Sequence, residues 1–427
     1  MRLGLTEILL LLLIGALALG PGISSWMSRW SRQAKTTRAE EARRRAAIEA
    51  ERRARRDFIL RRFQIAAAVV VALTAFWLVY TLGLRPIEAE PAGYTLPAAA
   101  AQTAGQTAAA DGVLSIEGYL PPDCIQAQDG WLYLAARPVE ASGSVLLRVR
   151  EDGSSLMPIL TVEGQITAFA FGPDGDIWYT LLTEGGGALC RASHDDWGAS
   201  AGQVVTQIDG RPLMAVAAVA VGGDGRVYFT EAAQLSADPG GLEDALLSEL
   251  VGHTATGSVY VYDPAARSVR RVLGGVAGAT GLALSPDGAT LYAADMGSRC
   301  IWAVDAGAEE LTAGGQGCTL FAGALPGYPT ALAADAEGAV YPACRWAAAD
   351  WLDSRAADPG LRVVAARLPR AALRALFSPC ASAAQRYAPD GRLTADYAGD
   401  AAGHAAAVCG NRLYLPNAEG GLLRFRF

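Results

Sequence analysis

One short unit, a tight turn followed by an apolar strand with an aromatic, recurs six times in the C-terminal three quarters of the chain. It reads Asp129-Gly130-Trp131-Leu132-Tyr133, Asp174-Gly175-Asp176-Ile177-Trp178-Tyr179, Asp224-Gly225-Arg226-Val227-Tyr228, Asp287-Gly288-Ala289-Thr290-Leu291-Tyr292, Glu337-Gly338-Ala339-Val340-Tyr341 and Gly410-Asn411-Arg412-Leu413-Tyr414. Asp-Gly supplies a turn that tolerates positive φ, so each copy separates two strands. The second turn positions lie 45, 50, 63, 50 and 73 residues apart. The first four intervals fit one four-stranded blade, a period that a β-sandwich has no reason to adopt. The spacing predicts an all-β domain, a six-bladed β-propeller over residues 112–427. Its edges need closing. The stretch Val113 to Glu117 is the candidate to complete the last blade beside Leu422 to Phe427. The 73-residue interval holds an insertion, 345–380. There Leu361, Val364, Ala365 and Leu368, then Leu373, Leu376 and Phe377, follow helical spacing. One or two short helices capping the channel are expected.

The N-terminal part reads differently. Phe63 to Leu84 holds 22 residues without a charge. That length spans a hydrocarbon core of ~30 Å at ~1.5 Å per residue. Residues 1–24 hold a shorter apolar run closed by Gly20-Pro21, expected as a short transmembrane or interfacial helix. Gln33 to Arg56 lacks Gly and Pro and is rich in Ala, Arg and Glu, so residues 25–62 are expected as a basic helix. From Arg29 to Arg62 thirteen basic and five acidic residues leave a net +8. The positive-inside rule puts that segment in the cytoplasm of an inner or plasma membrane, and the propeller on the periplasmic or extracellular side. Residues 85–111 read as a linker, with an Ala/Gln/Thr/Gly spacer from Ala98 to Ala110.

From Arg85 onward 22 basic residues face 37 acidic ones. An acidic domain lacks the clustered Lys and Arg that phosphate contacts need, which excludes a nucleic-acid partner. The seven cysteines all lie at or beyond Cys124. Two readings stay open: disulfides of an exported domain, or buried reduced thiols. On the first, Cys300 and Cys318 begin consecutive antiparallel strands and form the leading pair. Cys124 and Cys409 lie in blades that ring closure makes neighbours. Cys344 and Cys380 flank the insertion, and Cys190 is left over.

Two resemblances add to this reading. Gly4-Leu5-Thr6-Glu7-Ile8-Leu9 with Gly20-Pro21 and the charged helix after it resembles the small membrane component of the twin-arginine translocase. The resemblance makes Glu7 a candidate contact for a membrane partner. Residues 112–427 resemble the strictosidine-synthase-like branch of the gluconolactonase superfamily, including its membrane-anchored members. The resemblance rests on five ordered motifs: Val227 to Glu231; Leu246-Leu247 through Thr256-Gly257 to Tyr262-Asp263-Pro264; Gly281 to Gly288; Leu325-Pro326-Gly327-Tyr328-Pro329; and Asp358-Pro359-Gly360-Leu361-Arg362 with Arg367-Leu368-Pro369.

Metal-dependent members of that superfamily hold a divalent cation, typically calcium, at the channel centre with acidic and amide ligands. The resemblance implies that Asp123 stands at the first ligand position. Ala217 and Thr280 stand where asparagines are expected, and Thr330-Ala331 replaces an Asp-Asn pair. The synthase's acid–base glutamate has no counterpart, since no Asp or Glu lies between His404 and Asn417. No metal and no cofactor are therefore expected. Asp123, Glu231, Asp295 and His404 remain the candidates for cation binding or acid–base work if the channel gathers them. The expectation is a non-catalytic binding or assembly subunit, with the bilayer and a membrane protein or a second copy as partners. The alternatives are a lactone or ester hydrolase with a remodelled site, and a periplasmic ligand sensor.

Overall fold

A computed structural model describes residues 5–88, 90–99, 102–196, 198, 200–399 and 403–427. The chain forms two units that divide after Tyr80. The first is one α-helix, Leu5–Val79, and a π-helical turn, Tyr80–Leu84, spans the division. The expected break at Gly20-Pro21 does not occur. An interior proline removes a single backbone hydrogen bond, and the helix continues past it. Among the described residues one stretch, Glu40–Leu84, is long and apolar enough to cross a membrane. A pair of separate membrane helices is not what the structure contains. The side chain of Glu7 lies outside the described residues.

The second unit is a propeller of six sheets. Blade one is Cys124–Gln128, Trp131–Ala136, Ser144–Arg150 and Met157–Val162. Blade two is Gln165–Phe171, Ile177–Thr183, Gly186–Ala192 and Gly202–Val205. Blade three is Ala215–Val221, Val227–Ala233, Gly257–Asp263 and Ser268–Val276, with Leu311–Thr312 added in parallel. Blade four is Ala279–Leu284, Thr290–Asp295, Cys300–Asp305 and Cys318–Ala322. Blade five is Gly327–Ala334, Val340–Ala347, Ser382–Tyr387 and Leu393–Ala398. Blade six is Ala407–Cys409, Arg412–Pro416 and Leu422–Arg426.

The first strand of every blade lines the channel, and the repeated turn leads outward from it. The glycine takes positive φ, 83° at Gly175 and 81° at Gly225. The aspartate before it caps the turn: Asp224 Oδ1 accepts from the Arg226 N–H at 3.1 Å and Asp287 Oδ1 from the Ala289 N–H at 3.1 Å. Asp at that place is thus a turn former by hydrogen bonding as well as by propensity.

Ring closure follows expectation. Gly112–Leu114 pairs antiparallel with Leu422–Arg426, so both ends of the domain build blade six. The segment before it is no simple spacer. Gln106–Ala109 adds a parallel strand to the outer edge of blade five.

The helical cap has two layers. Leu242–Gly252 packs Leu246, Leu247, Leu250 and Val251 against Leu352, Ala365, Leu373 and Phe377. Leu352, Ala365 and Leu373 come from three short helices, Asp350–Asp353, Gly360–Ala366 and Arg370–Arg374, and Phe377 follows the last of them. The insertion therefore rests on a helix from blade three. Leu361 and Leu376, expected among its packed positions, are 47% and 41% exposed.

All seven cysteines are free thiols, which overturns the disulfide scheme. Cys318 pairs with Val304, four residues along from Cys300, because the starts of two antiparallel strands lie at opposite ends. Cys124 starts its strand at the capped mouth, whereas Cys409 ends its strand beside Glu151, at 2.9 Å from Oε1. Cys344 and Cys380 are close, but they share a thiol–thiol hydrogen bond. Cys190 is buried beside Tyr179.

Candidate functional site

The inner strands and the helix Leu242–Gly252 enclose a cavity of ≈ 210 Å³ at the capped mouth of the channel. Asp123, Ala217, Thr280 and Thr330, one from each of four blades, all line it, and so does His404. Glu231 and Asp295 do not. Glu231 is fully buried in blade three, where Arg211 grips it at 2.7 and 2.6 Å and the Met214 N–H donates at 2.9 Å. Asp295 accepts from Trp302 Nε1 and from the Ser298 N–H, both at 3.0 Å. Both carboxylates hold their own blades together. The channel brings together two of the four acid–base candidates, Asp123 and His404.

Further polar residues line the cavity, among them Arg137, Gln165, Glu243 and Arg345. Arg137 Nε donates to Asp123 Oδ2 at 3.2 Å, and Gln165 Nε2 to Asp123 Oδ1 at 3.1 Å. Gln165 is itself fixed, accepting from the Gly240 N–H at 2.8 Å. Arg345 Nη2 reaches Glu243 Oε2 at 2.5 Å. Burial pushes the Asp123 carboxyl above its ordinary pKa, and Arg137 and Gln165 only partly oppose this. Glu243 arrives on the cap helix, and that helix had a visible signal. Leu242, Leu246, Leu247, Leu250 and Val251 follow helical spacing after Pro239-Gly240-Gly241.

The residues at the relatives' cation positions do not fit a calcium ion. A hard cation needs six to eight oxygen ligands. Asp123 supplies the one carboxylate at these four positions, and Ala217 offers no ligand atom. The Thr280 hydroxyl donates to Pro329 O and the Thr330 hydroxyl to Gly403 O, each at 2.8 Å. Among the described residues no three His, Cys, Asp or Glu gather as a ligand set.

Behind the cavity the cap is strapped down by the segment after the apolar helix. Arg85 and Arg367 exchange hydrogen bonds, Nη1 to Arg367 O at 3.1 Å and Nε to Arg85 O at 3.0 Å. The Ala92 N–H donates to Gly252 O at 3.0 Å and the Tyr94 N–H to Ala356 O at 2.9 Å. Arg362, fully buried, donates to the carbonyls of Val251, Gly252, Ala356 and Ala92. Replacing Arg362 by methionine keeps much of the stem but removes all four bonds. At ~1.5–3 kcal/mol for a hydrogen bond to a charged group, this is expected to raise proteolysis at residues 85–99 before global unfolding, as peptide mapping of limited digests would show.

The fold is a closed six-bladed β-propeller with a polar cavity under a helical cap. The chain belongs to the SMP-30/gluconolactonase family: the model of the SMP-30/Gluconolactonase/LRE-like region matches residues 139–356. Among solved structures it is similar to a structural-genomics gluconolactonase candidate at 14% identity, TM-score 0.51, over 76% of this chain and 93% of the other. It is also similar to a gluconolactonase from Xanthomonas campestris (18% identity, TM-score 0.49, 80% and 98% covered). A calcium-binding regucalcin from Agrobacterium tumefaciens shows 13% identity and TM-score 0.47, over 75% and 95%. No match is found among curated protein sequences. Family membership overturns the expectation of a non-catalytic assembly subunit, which rested on the missing metal ligands and on the N-terminal helices.

Proposed function

We propose that this chain hydrolyses a lactone or ester in the channel cavity, with Asp123 and His404 as its acid–base pair. The observation that carries the reading is that a family-type channel keeps an open polar cavity lined by both. Asp123 takes a proton from water as the water adds to the acyl carbon. The acyl C–O bond then breaks, and His404 gives a proton to the departing alkoxide. The product is a hydroxy acid, or an acid and an alcohol. A carboxyl raised by burial is a stronger base than an exposed one. Within the family, the motifs at Leu325 to Pro329 and Asp358 to Arg362 support the strictosidine-synthase-like branch. Purified full chain in detergent is expected to open sugar-type lactones or cleave aryl esters. Asp123→Asn and His404→Gln are each expected to cut kcat by roughly 10²–10⁴. Turnover unaffected by both substitutions, or absent across the substrate panel, would sink the proposal.

The same reading holds the propeller to the outer face of an inner or plasma membrane through Phe63 to Leu84, with the basic segment in the cytoplasm. A cysteine introduced as Ala46→Cys is expected to react only with membrane-permeant thiol reagents in intact cells. Labelling by an impermeant reagent contradicts this topology.

A further inference from the structure

The feature left over from the hydrolase reading is the pair of guanidinium groups in the cavity. Relatives of this family place a cation where Asp123, Ala217, Thr280 and Thr330 converge, and this chain cannot hold one there in the usual way. It supplies positive charge by other means. Arg137 reaches the cavity from blade one and Arg345 from blade five. Each is anchored by only part of its fork. Arg137 uses Nε on Asp123 at 3.2 Å, and Arg345 uses Nη2 on Glu243 at 2.5 Å, with its guanidinium carbon 5.3 Å from the Trp346 ring centroid. Among the described residues, Arg137 Nη1 and Nη2 and Arg345 Nε and Nη1 have no hydrogen-bond acceptor. Both side chains line the cavity and are about a third exposed, 31% and 30%. The free Nη1–Nη2 edge of Arg137 matches the flat, two-oxygen geometry of a carboxylate, and Arg345 adds a second guanidinium with spare N–H donors.

We infer that Arg137 and Arg345 form a carboxylate cradle in the channel, standing in for the cation that relatives hold there. Ligands of the site are small carboxylates. This deepens the hydrolase reading, since hydrolysis of a lactone or ester leaves a carboxylate within reach of the cradle. It names the ligand class without requiring turnover.

Calorimetric titration of the full chain in detergent with gluconate, methyl gluconate and sorbitol tests this. Gluconate is expected to bind, and the uncharged pair to bind at least ten-fold more weakly. Arg345→Leu and Arg137→Leu are each expected to weaken gluconate at least ten-fold. Arg345→Lys should be intermediate, because it keeps charge without the fork and guards against misfolding of the leucine variant. Chelator is expected to leave gluconate binding unchanged. Equal binding of gluconate and sorbitol, unchanged affinity in both leucine variants, or loss of binding on chelation overturns the cradle. Gluconate binding without turnover of any lactone or ester keeps the cradle and removes the hydrolase.

Discussion

Arg211→Ala is expected to destabilise the propeller by roughly 3 kcal/mol, because it strands a buried carboxylate. Glu231 has no solvent exposure, and its two oxygens receive both Nη groups of Arg211 at 2.7 and 2.6 Å. Removing one partner of such a pair typically costs ~3–5 kcal/mol. The low end applies here for two reasons. The Met214 N–H still donates to Oε1 at 2.9 Å, and Arg211 is 36% exposed, so water enters the vacated space. Arg271→Ala is the control. Its partner Glu310 is 62% exposed and Arg271 itself 46%, and a surface pair of that kind contributes at most about 1 kcal/mol. Urea unfolding followed by tryptophan fluorescence measures both. Combining Arg211→Ala with Glu231→Gln is expected to lose less than the two single losses added, since a neutral amide tolerates burial better than a lone charge. Losses of similar size for Arg211→Ala and Arg271→Ala would show that burial of Glu231 is not what makes the pair matter.

Glu231 also shows where the sequence stops informing. Its place at the end of a repeated strand is legible, and so are the six blades, because turn and strand patterns are local. Its partner is not legible. Arg211 sits on a two-stranded hairpin, Gln207–Ile208 with Arg211–Pro212, that follows no repeat. A reading by strand position sends Glu231 to the channel, whereas the pairing keeps it inside blade three. The cysteines fail for a related reason. Strand order was readable, but register decides which ends meet, and register depends on the long turn around Gly314-Gly315. In the cavity, Asp123, Ala217, Thr280 and Thr330 do converge, because each sits at a fixed place in its blade. Arg137, Gln165 and Arg345 carry no signal of their own. Only the closed ring gives them a common target. Glu243 was recoverable, since the apolar period of its helix was present in the sequence.

Acidification is expected to destabilise the cap through His253, and the wild-type profile should partly hide it. The imidazole is buried and stacked on Tyr94 at 3.5 Å between ring centroids, with planes 5° apart. The Arg362 guanidinium lies 4.9 Å from the Tyr94 ring centroid. Burial first, then the Arg362 charge, lowers the His253 pKa from 6.5 to about 3. Between those values the unfolded chain binds a proton that the folded chain refuses. Stability therefore falls as pH drops from about 6.5 toward 3, by ~1.4 kcal/mol per unit. Glu249 works in the opposite direction. Burial pushes its carboxyl from 4.5 up to about 7, against hydrogen bonds from Thr254 and the Ala255 N–H. Its contribution is fully present below pH 4.5 and is lost as pH rises through 7. From pH 4.5 to 6.5 these two slopes nearly cancel, and below 4.5 the histidine is the one of the two that still acts. The contribution of this pair is thus expected to be flat in that window and to fall beneath it, read as the difference in Tm between wild type and the Glu249→Gln and His253→Asn variants. In Glu249→Gln the histidine slope should emerge across the whole range from 6.5 downward. In His253→Asn the difference from wild type should shrink steadily on acidification. Asparagine suits this position because residue 253 is the left-handed helix cap, φ 48° and ψ 51°. Parallel Tm profiles for wild type and His253→Asn from pH 6.5 to 3 would mean that the ring is already protonated in the folded protein.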